Sequence, residues 1–157
     1  MKYAYYPGCS AESTARDMHQ STLAVAAALG IEMIEPKGWT CCGATAGHQT
    51  DRVLAAALPA ANLVKIKDMG LDCVVNCAAC YNRMKVANHE IATESEIRRN
   101  VCDAIGRDYD GSVKVRHFIE VLLEDIVMVS LRVRISCIKG LGVSRITSAP
   151  KDSSRGI

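Results

Sequence analysis

The sequence predicts an α/β domain: a mainly parallel sheet of about four strands with helices on both faces. Two observations carry this. Short apolar stretches alternate with longer helical ones four times along the chain, the pattern of βαβ units. Turn residues also stand at most of the joints between them. The strand at 2–6, "KYAYY", is aromatic and closed by Pro7-Gly8. "SAESTARDMHQSTLAVAAALG" follows as a helix that Ser10 or Ser13 would cap and Gly30 would end. "IEMIE" (31–35) is a second strand, stopped by Pro36. Asp51 to Met69 reads as an alanine- and leucine-rich helix interrupted by Pro59 and closed by Gly70. "LDCVVN" (71–76) is a third strand, and "CAACYNRMKVANHEIA" opens another helix. "SVKVRHF" (112–118) is the fourth strand, with "IEVLLEDI" (119–126) helical after it.

Beyond this point the pattern fails. Residues 1–127 form the expected domain. Residues 128–157 read as a divergent basic tail, with one strand at most ("VSLRVRIS") and otherwise loose. Residues 130–157 hold six basic residues and one acid, while the whole chain of 157 residues carries a net charge of only +2. No strong attraction to nucleic acid follows. No apolar run approaches the roughly 20 residues of a membrane span, and the start lacks a signal peptide's apolar stretch. A cytoplasmic, reducing location is expected, where eight cysteines point to metal binding or redox chemistry rather than a disulfide framework.

The cysteines fall where ligands bind in such a fold. Cys9 follows strand one, Cys41 and Cys42 strand two, and Cys77 and Cys80 strand three. In a parallel sheet these three loops emerge together at the carboxyl edge. Gly8 and Gly43 would let backbone approach whatever is bound. Cys77 and Cys80 at a helix start would feel the positive end of its dipole. Five thiolates exceed by one the set that a structural zinc takes, and the set that holds a plain cubane. The adjacent Cys41 and Cys42 suit different iron atoms of an extended cluster better than one ion, so iron and sulfur are favoured over zinc.

"YYPGCS", "CCG" and "NCAACYNR", with Cys9, Cys41-Cys42 and Cys77-x-x-Cys80 at their spacing, resemble the cysteine-rich CCG domain, and most closely that of the catalytic B-subunit of heterodisulfide reductase. The resemblance covers about residues 1–126. It implies an oxidoreductase whose five cysteines bind a non-cubane [4Fe-4S] cluster, here Cys9, Cys41, Cys42, Cys77 and Cys80. It also implies reduction of the coenzyme M–coenzyme B heterodisulfide of methanogenesis, or a related small disulfide. Implied partners are a ferredoxin-like Fe–S subunit similar to the reductase's C-subunit, a flavoprotein subunit and a second CCG domain. Family members carry two copies of the motif and this chain holds one, so it resembles half of a two-cluster enzyme. An electron-transfer Fe–S module of a larger dehydrogenase and a structural zinc domain are the competing readings.

Ordinary roles are expected for other reactive residues. Cys73, mid-strand, reads as a core thiol, and Cys102 and Cys137 as incidental. His48 and His117 lie near the ligand edge, where a bond to cluster or substrate competes with a plain loop position. His19 and His89 read as helix surface, Asn76 and Asn82 as capping or turn residues, and Tyr5, Tyr6 and Tyr81 as core or pocket wall. Arg83 and Lys85 could steer an anion, but a solvated helix face is their commoner role.

Overall fold

A computed structural model describes residues 1–127, the side chain of His48 excepted. The expected tail at 128–157, with its strand and Cys137, lies outside the described residues. Four strands form one sheet: β1 (Lys2–Tyr6), β2 (Glu32–Ile34), β3 (Cys73–Val75) and β4 (Val115–His117). Their order is β2-β1-β3-β4 and every pairing is parallel, with Ala4 opposite Ile34, Tyr6 opposite Val75, and Val75 opposite His117. The fold class is therefore the one the sequence predicts.

Side chains alternate across each strand, and both sets are buried, as parallel sheets require. Ala4, Tyr6, Cys73 and Val75 pack under three helices: α3 (Arg52–Met69), α4 (Ala78–Thr93) and α5 (Ser95–Ile105). Tyr3, Tyr5 and Val74 face the other way, toward Ala26 of α1 (Arg16–Ala28) and Phe118 and Val121 of α6 (Phe118–Val121). A short helix, α2 (Gly47–Thr50), joins the second cysteine loop to α3, and α6 runs on as a π-helical turn at Leu122–Val127.

Several local expectations are corrected. Neither Ser10 nor Ser13 caps α1: the chain after β1 makes a 3-10 turn at Cys9–Glu12, and Ser13 Oγ donates back to the Cys9 carbonyl at 3.3 Å. The helix then starts at Arg16, with no side-chain cap. Pro59 does not interrupt α3, which runs unbroken from the Asp51 cap, where Asp51 Oδ1 accepts from Leu54 N at 2.9 Å, to left-handed Gly70. A proline in a helix orphans the carbonyl four residues back, here Ala55, and Arg83 Nη2 of α4 donates to that oxygen at 3.0 Å. Helix α5 has no counterpart among the expected elements. It buries Ile97 and Val101 and ends at left-handed Gly106.

Candidate functional site

The β1-to-β2 connection leads to one side of β1 and β3 lies on the other, so the carboxyl ends of β1 and β3 form a topological switch point, the usual ligand crevice of open α/β sheets. Cys9 stands just past β1, and Cys77 and Cys80 just past β3. Cys77 occupies the N-cap position of α4 without a side-chain cap bond, and Cys80 lies in its first turn. Gly8 has φ +78, and a Cβ there would stand 3.0 Å from Cys80 Sγ. Glycine thus lets the first loop close over the third.

The second loop is held from beneath. Asn62 of α3 is completely buried. It accepts from Thr40 N at 2.8 Å and donates to Thr40 O at 3.0 Å. Tyr6 OH donates to the same carbonyl at 2.7 Å, and the Tyr6 ring meets Trp39 edge-on at 5.3 Å. Gly43, at φ +75, has the left-handed backbone that favours glycine, and a Cβ there would stand 2.5 Å from Leu58 Cδ1 of α3, so a side chain would also force Leu58 to move.

Pinned at Thr40, the two adjacent cysteines diverge. Cys41 is exposed, with its Sγ 3.6 Å from that of exposed Cys9. Cys42 is buried, with its Sγ 3.3 Å from that of buried Cys80. Cys77 is half-buried. Among the described residues no three His, Cys, Asp or Glu side chains are gathered to hold a single metal ion; the thiols stand as two pairs and a fifth sulfur. The sulfurs of Cys42 and Cys80 are in direct hydrogen-bonding contact. The thiol of Cys80, with backbone groups at Ala44 and Cys42 itself, pulls Cys42 down to about 6, while the same contact, and burial, push Cys80 up. Cys41 likewise raises Cys9. Burial first, then Cys42, holds the Tyr6 phenol protonated well above its ordinary range. A cavity of about 560 Å³, lined among others by Glu12, Glu35, Lys37 and Trp39, opens onto Cys9 and Cys41.

Other singled-out residues lie elsewhere or act structurally. Cys73 is a buried core thiol 3.9 Å from Met84 Sδ, raised by burial. Cys102 accepts from Tyr109 N at 3.3 Å, away from the site. His117 does not face a ligand: its Nδ1 accepts from Ile119 N at 3.3 Å and its Nε2 meets the Asn76 carbonyl at 3.1 Å. Asn76 does not cap α4; its amide donates to Thr22 Oγ1 of α1. His19 is half-buried rather than free on the surface, stacked on Tyr5 and 3.1 Å from its hydroxyl, because Tyr5 points to the α1 side of the sheet. His89, Asn82 and Lys85 are exposed, Tyr5 and Tyr6 are buried, and half-buried Tyr81 donates to Glu120 at 2.5 Å. Arg83 neither faces solvent freely nor points at the cysteines; it serves the Ala55 carbonyl. Asn62 and Trp39 belong to no motif in the sequence. A lone amide among the apolar residues of "AANLVKI" is the available signal for Asn62.

Fold and site together define a parallel α/β domain that collects cysteines from three loops at the carboxyl edge of its sheet. The chain belongs to the cysteine-rich CCG domain family, whose sequence profile matches residues 3–85. It is 32% identical over 136 residues, 84% of this chain and 46% of the relative, to a heterodisulfide reductase B-subunit-like protein of Archaeoglobus profundus. It is 28% identical over 134 residues, 85% of this chain and 47% of the relative, to the 8-methylmenaquinol:fumarate reductase membrane anchor subunit of Wolinella succinogenes. The B-subunit of a ferredoxin/F420H2-dependent CoB-CoM heterodisulfide reductase of Methanosarcina acetivorans is 28% identical over 80% of this chain and 43% of its own length. The chain spans less than half the length of these relatives. No helix among the described residues is long and apolar enough to cross a membrane.

Proposed function

We propose that this chain is an iron–sulfur redox subunit that reduces a small disulfide, the coenzyme M–coenzyme B heterodisulfide or a related one, at a non-cubane [4Fe-4S] cluster held by Cys9, Cys41, Cys42, Cys77 and Cys80. The observation that carries this reading is the convergence of these thiols from three loops, with Cys41 and Cys42 turned toward different sulfurs. One ion needs its donors around a single point; two diverging pairs and a fifth sulfur suit a group with several metal atoms. When bound, such a cluster supplies electrons one at a time to a sulfur–sulfur bond. The chain's own residues set the frame. Asn62 and Tyr6 fix the Cys41-Cys42 loop, Gly8 admits Cys80, and the cavity at Cys9 and Cys41 gives a small disulfide room beside the exposed sulfurs. Electrons would come from a ferredoxin-like Fe–S subunit and a flavoprotein subunit, and a second CCG domain would complete the active site.

The fumarate reductase relative favours a second reading, an electron-transfer module of a dehydrogenase complex that touches no disulfide. Anaerobic purification with iron, sulfide and zinc counted per chain tests the cluster. About four iron and four sulfide are expected; zinc without iron would sink both readings. Oxidation of the reduced chain by a small disulfide, followed by optical absorption, separates the two, since only the first expects a response.

A further inference from the structure

We propose that, before any cluster is inserted, Cys9 and Cys41 form a thiol–disulfide exchange site for small disulfides, and that their disulfide blocks cluster loading until it is reduced. Their sulfurs are 3.6 Å apart and both are exposed, on loops that follow different strands. A bond requires them to close by about 1.5 Å, a distance side-chain rotation can cover. The cavity of about 560 Å³ opens onto both sulfurs, with Trp39 as an aromatic wall. Its ionic lining is two carboxylates, Glu12 and Glu35, and one ammonium, Lys37. Glu35 is already engaged by Trp39 Nε1. With one carboxylate in excess over Lys37, this lining suits a small disulfide that is neutral or cationic.

The competing pairings are disfavoured. Adjacent Cys41 and Cys42 cannot bridge without straining the backbone. Cys77-x-x-Cys80 looks like a redox motif in sequence, but Cys80 is buried and its sulfur lies against Cys42. The Cys42–Cys80 pair is shut from solvent, at 1% and 3% exposure, so a small disulfide cannot reach it.

The exchange balances. One thiolate of the exposed pair attacks RSSR; that S–S bond breaks, a mixed disulfide forms, and RS⁻ leaves and takes a proton. The other thiolate attacks the protein sulfur of the mixed disulfide, whose bond breaks to release a second RS⁻. Two protein thiols are oxidised and one RSSR is reduced to two RSH. A disulfide sulfur is no thiolate ligand, so two of the five proposed donors are withdrawn. The exchange itself does not depend on the cluster reading; the block on loading does.

The test uses the full chain, stripped of metal and reduced without oxygen, then treated with cystamine, unfolded in denaturant, alkylated and mapped by mass spectrometry. A Cys9–Cys41 link with Cys42, Cys77 and Cys80 still alkylated, and two cysteamines released per chain, is expected. A Cys77–Cys80 or Cys41–Cys42 link, or no reaction, would overturn the proposal. Cys9→Ser, with its fold checked by circular dichroism, should stop at a mixed disulfide and release one cysteamine; release of two would also overturn it. If the variant does not fold, the wild-type map decides. For loading, oxidised and reduced wild type are given iron and sulfide without added thiol. Uptake by the reduced chain alone is expected. Equal uptake by both refutes the block, and no uptake by either counts against the cluster reading while leaving the exchange result standing.

Discussion

Asn62 bonds both backbone groups of Thr40 and also donates to the Leu58 carbonyl at 3.1 Å, all from a completely buried position. Its replacement by leucine should leave the Thr40 amide without this partner and cost about 2 kcal/mol. It should also loosen the loop, so that Cys42, otherwise shielded, reacts faster with iodoacetamide; an unchanged rate would detach the amide from the positioning of the cysteines. Arg116 is a second buried polar residue, 4% exposed, and it bridges Asp125 and Glu124. Arg116 holds the Asp125 carboxyl below the usual carboxylate range, with help from the Tyr3 hydroxyl. A depressed folded value means stability that is present above the unfolded value of about 3.9 and is lost as pH falls through the folded one. Asp125→Asn should therefore flatten the acid limb of a urea-midpoint profile below about pH 4. It should also cost about 3 kcal/mol at neutral pH by leaving Arg116 short of charge. An acid limb identical to wild type would refute the linkage.

At the scale of elements, Pro59 and Arg83 are one unit. The proline orphans the Ala55 carbonyl and the guanidinium on α4 serves it. Arg83→Met should cost about 1–2 kcal/mol in the wild-type background. In a Pro59→Ala background, where a backbone N–H returns to Ala55, the loss should largely vanish; equal losses in both, measured by urea denaturation, would show no coupling. This pairing also explains why the sequence suggests a break at Pro59 where the helix has none. The sequence displays the missing donor, but not the side chain from another helix that replaces it. The start of α1 is hidden for a related reason. Ser13 offers a cap, yet its hydroxyl bonds back to Cys9 in the turn that presents that cysteine. Helix α5 is legible in principle, since Ile97 and Val101 stand four apart and Gly106 ends the run.

Across the whole molecule, the gathering of cysteines at one edge is readable from sequence, because parallel strands send their following loops to the same side. The strand order and the division of four thiols into two pairs are not. Both depend on contacts between residues 30 or more apart, such as Cys42 with Cys80. Ile119, Leu123 and Val127 stay 45–55% exposed along α6 and its π-helical continuation, an apolar stripe of the kind that marks contact surfaces. If a second CCG domain or another copy docks there, sedimentation should show association that Leu123→Glu weakens. A chain monomeric at high concentration, and indifferent to a second CCG domain, would remove this surface from the account.

If Cys41 and Cys42 both hold a cluster while Cys73 belongs to the core, anaerobic reconstitution must separate Cys42→Ala from Cys73→Ala. Iron content and the paramagnetic signal are compared with wild type. Cys42→Ala should lose iron or change the signal. Cys73→Ala should keep both and lose only packing free energy, roughly 1 kcal/mol. Full iron and an unaltered signal in Cys42→Ala, with both lost in Cys73→Ala, would contradict the account.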